Sequence, residues 1–252
     1  MLLTIDIGNT TTKLGVFNDD SLIERLVIPT IRGKSADEIR ESIGQNLNHN
    51  LDAAIISSVV PELNDAVADL CRQHFNAPPT FVDHNFDFGF TIKCEPPDGV
   101  GIDRLVAAYA AVNKIKTPCI ICDFGTATTI DAVNKNGEYL GGIITAGMNL
   151  LADALHQRTS KLPRIELRKP ENAIGNSTVS AIQSGVYFGY IGLVDGLIKR
   201  ISDELNAKPK IIATGGLAPL IAESSKYIKN VDPNLMLEGL RLIYEKELSV
   251  KC

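Results

Sequence analysis

The chain has 252 residues, 44% of them hydrophobic and 22% charged, enough to bury a sizeable core and unlike a fibrous or disordered polymer. Its 25 Lys and Arg against 30 Asp and Glu give a formal net charge of −5. That balance argues against a general binder of nucleic acid or anionic membrane, and any anionic ligand must meet a local basic site.

The first segment, MLLTIDIGNTTTKL, has no positively charged leader and its apolar run is broken by Asp6, so it does not read as a signal peptide. No stretch is expected to approach the ~20 apolar residues of a membrane span, and a cytoplasmic protein is expected. Two strands, LLTIDI and TTKLGVF, meet at Gly8-Asn9, a dipeptide that favours a tight hairpin. A third strand, LIERLVIPT, follows. Ser35 to Glu38 forms a capping-box pattern that opens a helix carrying Ile39, Ile43 and Leu47. Next come the strand AAIISSVV and a helix entered at Pro61, with Leu63, Val67 and Leu70 on one face.

Residues 76–100 hold Pro78, Pro79, Pro96 and Pro97 and read as loop. A helix rich in Ala and Val runs from Ile102 to about Ile115. The strand CIICDF then meets Gly125-Thr126, followed by TTIDAV, the Asn136-Gly137 turn and EYLGGII. Cys119 and Cys122 form a C-x-x-C, but residues three apart on a strand face opposite ways, and the pair reads as core rather than as a metal or redox site. With five cysteines in all, a reducing compartment fits better than a disulfide scaffold. From Ser177 to Leu205 a long helical pattern carries Gly185, Gly189, Gly192 and Gly196, and KIIATGGLAPLIAES reads as strand, Gly215-Gly216 turn and helix.

DIGNTTT at Asp6 and DFGTATT at Asp123 share Asp, Gly and two threonines at an offset of 117 residues, and each begins a run of three strands. An internal duplication is therefore expected, giving an α/β protein with lobes at 1–116 and 117–252. Paired Gly hairpins suit a nucleoside triphosphate between two lobes: glycine lets backbone N–H groups approach phosphate, Thr10, Thr12, Thr126 and Thr128 add hydroxyls, and Lys13 adds charge. There is no Walker A motif, and Gly99-Val-Gly101-Ile-Asp-Arg104 fails the dinucleotide fingerprint at its last glycine. At Gly101-Ile102-Asp103-Arg104 an acid and a guanidinium stand together at a helix start, where Asp caps well and Arg opposes the dipole unless an anion is bound.

Six blocks in order, DIGNTTTK, GIDR, DFGTATT, GGIITAG, IGNSTVSAIQSG and ATGGL, resemble the type III pantothenate kinases, or Bvg accessory factor family, of the actin, heat-shock chaperone and sugar kinase superfamily. The resemblance implies two related ribonuclease H-like lobes with a nucleotide-binding cleft, the second lobe carrying an adenosine-type Gly-Gly turn. It also implies transfer of the γ-phosphoryl group of ATP to pantothenate, the first step toward coenzyme A. On that resemblance ATP is held by Asp6, Ile7, Gly8, Asn9, Thr10, Thr11, Thr12, Lys13 and Thr126. Asp103 is the general base, and Gly101, Ile102, Asp103, Arg104 and Thr178 meet pantothenate. Mg²⁺ is held by Asp6 directly or through water, and a monovalent cation, K⁺ or NH₄⁺, by Asp123. A homodimer is implied, with neither nucleic acid nor membrane as partner. Two positions depart from the family pattern: Cys94 stands where a Tyr is usual and Ala146 where a Pro is usual. A kinase for another hydroxy acid and a non-catalytic, ATP-responsive regulator remain open at this stage.

Overall fold

The computed structural model of the chain describes residues 1–44, 47 and 49–251. Strands β1 (Leu2–Ile7), β2 (Thr11–Asn18) and β3 (Ser21–Pro29) form a meander. Helix α1 (Ala36–Ile43) opens with the expected capping box, in which Ser35 and Glu38 satisfy one another's backbone N–H groups. It ends at Gly44 with φ 65°, so Leu47 lies beyond the helix and reaches the core from the following loop. Strand β4 (Ala53–Ser58) and a single 3₁₀ turn lead to α2 (Asn64–His74). The proline-rich segment carries two short strands, β5 (Pro79–Phe81) and β6 (Thr91–Ile92), and α3 spans Ile102–Ile115.

Strands β7 (Cys119–Phe124), β8 (Ala127–Val133) and β9 (Glu138–Ala146) repeat the meander. Helices α4 (Met148–Gln157) and α5 (Thr178–Glu204) follow, then β10 (Lys210–Thr214), α6 (Ala218–Ala222) and α7 (Leu235–Lys251). The fold is thus mixed α/β with two five-stranded sheets, ordered β3-β2-β1-β4-β5 and β10-β7-β8-β9-β6. In both, the first strand of the meander lies between its antiparallel partner and a parallel strand, β4 for β1 and β10 for β7. This shared order carries the duplication read from the two Asp-Gly hairpins.

The chain forms two compact units. One comprises 1–90, 94–110 and 234–252, the other 91–93 and 111–233. These units do not follow the chain as the expected spans 1–116 and 117–252 do, because α7 returns to the first unit: a Cβ on Gly15 would meet Leu237 at 3.0 Å, and one on Gly239 would meet the carbonyl of Val106 at 2.9 Å. In the first unit Leu3, Ile5, Ile7, Ala54 and Ile56 share a core with Ile39 and Ile43 of α1 and Val67 and Leu70 of α2. In the second, Ile120, Cys122, Phe124 and Ala213 pack against Ile182, Val186, Tyr190 and Val194 of α5.

Helix α5 corrects one expectation. By length and composition its 27 residues could cross a membrane, although the sequence suggested no such stretch. Its apolar face is committed to the second core. The glycines at 185, 189, 192 and 196 lie on its opposite, exposed side, where an added Cβ would meet nothing within 4 Å.

Candidate active site

The first hairpin is built by alternation. Because successive strand residues face opposite ways, Ile5 and Ile7 enter the core while Asp6 faces the other side of the sheet, the side that carries Leu237 of α7. Asp6 pairs across the ladder with Lys13, and Lys13 Nζ donates to Asp6 Oδ2 at 3.1 Å. Both are largely withdrawn from solvent, with side-chain exposures of 17% and 7%. Gly8, Asn9 and Thr10 connect the strands, and the Gly8 N–H donates to the Thr11 carbonyl at 3.1 Å. Asn9, Thr10 and Thr11 are exposed at the tip, whereas Ile7 is core and the Thr12 hydroxyl bonds that of Thr30 at 2.8 Å. Ile7 therefore offers a ligand only its backbone. Arg32, which sequence reading missed, donates to Asn9 Oδ1 at 3.2 Å and places a guanidinium at the tip.

Beside Asp6 on β4 stands Ser57, its parallel ladder partner. Ser57 is fully buried, and its hydroxyl has no hydrogen-bond partner among the described residues. Leaving a buried polar group unpaired costs about 1–3 kcal/mol. A run of apolar and hydroxyl residues in a strand gives no sign of this, which is why the sequence did not single it out.

The loop before α3 brings Gly101, Asp103 and Arg104 together in the same unit. Asp103 Oδ1 accepts the Arg104 N–H at 2.8 Å, so the carboxylate sits at the helix start and is still only half-buried. Gly101 makes the space: a Cβ there would lie 2.5 Å from Asp103 Oδ1. Ile102 is buried in the core at 7% exposure and anchors the turn rather than presenting its side chain. Cys94 is partly buried.

In the second unit Asp123 closes β7 opposite Thr129. Only Gly125 and Thr126 link β7 to β8, one residue fewer than in the first hairpin. Thr126 is exposed, its carbonyl accepting the Gly147 N–H at 3.1 Å. Thr128, by contrast, is buried and bonded to the Tyr190 hydroxyl. Gly215, at φ 92°, lies so close to Asp123 that a Cβ would be 2.5 Å from its Oδ1. Thr178 opens α5 and is exposed. Cys119 and Cys122 are buried in β7, where burial pushes the Cys119 thiol up to about 12 and Cys122 still higher. Among the described residues no group of three His, Cys, Asp or Glu side chains could hold a metal.

A family model, Type III pantothenate kinase, matches residues 2–200. The type III pantothenate kinase of Koribacter versatilis (strain Ellin345) is 44% identical over 266 residues, covering 99% of this chain and 97% of that one. The chain belongs to the type III pantothenate kinase family. Two solved structures share its fold. A conserved Baf family protein from Campylobacter jejuni superposes with TM-score 0.61 at 21% identity, covering 98% of this chain and 99% of that one. MreB 5 of Spiroplasma citri bound to AMPPNP superposes with TM-score 0.54 at 13% identity, covering 100% and 98%. As a type III pantothenate kinase, the chain is an ATP-dependent phosphotransferase acting on pantothenate at the head of coenzyme A synthesis.

Proposed function

We propose that Asp103 is the general base for attack of the pantothenate hydroxyl on the γ-phosphoryl group of ATP, with Arg104 meeting the substrate carboxylate. The observation that carries this is the Gly101–Arg104 turn, in which a glycine leaves room for a carboxylate that accepts the next backbone N–H and is still only half-buried. Phosphoryl transfer depends on positioning and charge compensation more than on covalent chemistry, and a carboxylate beside the attacking hydroxyl can take its proton. Gly101, Ile102, Asp103, Arg104 and Thr178 are the proposed pantothenate residues.

Asp6 to Lys13 and Thr126 are the proposed ATP residues, the backbone from Gly8 to Thr11 and the Lys13 ammonium facing phosphate. Mg²⁺, when bound, neutralises phosphate charge and commonly retains several waters. A buried carboxylate at Asp6 beside the unpaired Ser57 hydroxyl is a fitting donor set for such a hydrated ion. For the monovalent cation, the proposed holder is Asp123, whose carboxylate lies against the Cβ-less edge of Gly215. Replacing sodium with potassium at constant ionic strength is expected to raise kcat several-fold. Equal rates in the two salts remove Asp123 from that role.

The proposed assembly is a homodimer in the cytoplasm with neither nucleic acid nor membrane as partner, in keeping with the net charge of −5. An apolar groove of ≈ 840 Å³ between α4 and α5, lined by Leu151, Leu155, Ile182 and Leu193, supports it. Gly185 and Gly189, on the exposed side of α5, line the same groove and would allow a second helix close approach. Sedimentation equilibrium should give twice the chain mass for the wild type and the monomer mass for Gly189→Arg. A wild-type monomer at micromolar concentration rejects the dimer.

A further inference from the structure

We propose that Ser57 is a positioning residue for phosphoryl transfer, its hydroxyl holding a water that also rests on the Asp6 carboxylate and belongs to the hydration shell of the divalent cation that accompanies ATP. Three observations converge. Asp6 and Ser57 are directly paired across β1 and β4. They also face the same way: the alternate residues Ile5, Ile7 and Ile56 fill the core with α1 and α2, so Asp6 and Ser57 share the opposite face. Parallel partners lie about 4.8 Å apart, and the two side chains make no direct hydrogen bond, a spacing suited to a bridging water.

The third observation is the environment. Ser57 is fully buried, its hydroxyl has no partner among the described residues, and Ser58, one residue on, has its own, accepting the Val60 N–H at 3.2 Å. Buried hydroxyls are normally satisfied by protein or by ordered water, so a residue serving the fold alone would be expected to have a protein partner here. Lys13 and Asp6 supply the other polar groups that such a water needs. Groups that orient a metal's ligands and waters commonly change metal affinity by about 10–100-fold when lost.

This inference rests on the reading of Asp6 as the residue that holds the divalent cation, and the test separates the two. ADP affinity is measured by calorimetry with and without Mn²⁺ for the wild type, Ser57→Ala and Asp6→Asn. The expected result is that Asp6→Asn abolishes the Mn²⁺-dependent gain in ADP affinity. Ser57→Ala should cut that gain by roughly tenfold while leaving metal-free ADP affinity and the metal-free thermal midpoint at or above wild type. In turnover assays kcat should fall and KM for pantothenate should hold. An unchanged gain in Ser57→Ala beside a lost one in Asp6→Asn overturns the role of Ser57 alone. A full gain in Asp6→Asn overturns both. A lowered metal-free midpoint in Ser57→Ala shows that the hydroxyl serves the fold and also overturns the proposal.

Discussion

Asp103→Asn is expected to cut turnover by ~10²-fold or more, the usual scale of general-base catalysis, while ATP affinity stays near wild type. The asparagine is nearly isosteric and its amide oxygen can still accept the Arg104 N–H that Asp103 Oδ1 accepts at 2.8 Å, so that contact at the helix start is kept while the proton acceptor is lost. Thermal midpoints should therefore coincide. Steady-state rates and nucleotide affinities measured on the same preparations decide the matter. If turnover remains within a few-fold of wild type, Asp103 is a helix cap and another group takes the proton.

The second large effect is expected at Gly215. Its φ of 92° lies in the region that side chains disfavour, which costs a non-glycine residue roughly 1–2 kcal/mol. A Cβ would also lie 2.6 Å from the backbone N and C of Phe124 and 2.5 Å from Asp123 Oδ1, and overpacking of that kind adds about 1–3 kcal/mol. Gly215→Ala should thus lose roughly 2–5 kcal/mol of stability by the sum of these, lowering the thermal midpoint by on the order of 10 °C. Because the backbone of β7 cannot yield as readily as a side chain, the Asp123 carboxylate must swing aside, and the potassium stimulation proposed for that carboxylate should disappear. A variant that melts like the wild type and still responds to potassium contradicts the contact.

Much of this was legible because it is local. The Asp6 and Asp123 hairpins declare themselves through glycines between alternating strands, and α3 occupies the predicted span from Ile102 to Ile115. The capping box at Ser35 forms as written. What escaped is what depends on distant pairing. Ser57 becomes notable only once β4 is laid beside β1, and Gly215 only once β10 runs parallel to β7, with Thr214 beside Asp123. Leu47 fits the four-residue spacing of α1, but the left-handed glycine at 44 ends the helix first. Helix α7 carries Leu235, Met236, Leu237, Leu240 and Ile243 as buried residues, a recognisable stripe whose destination no local pattern reveals.

That destination bears on how the protein is made. Chains generally fold from the N-terminus as they leave the ribosome, yet β1 and β2 meet their covering residue, Leu237, only after more than two hundred further residues have been added. Until then the strand face bearing Asp6 and Ser57 lacks the helix that covers it, although the opposite face can already close over α1 and α2. The second unit, whose last residue is Pro233, can thus complete itself before the first. A message cut short before Leu235 would yield a chain with an intact second unit and no finished floor beneath its Asp6 hairpin.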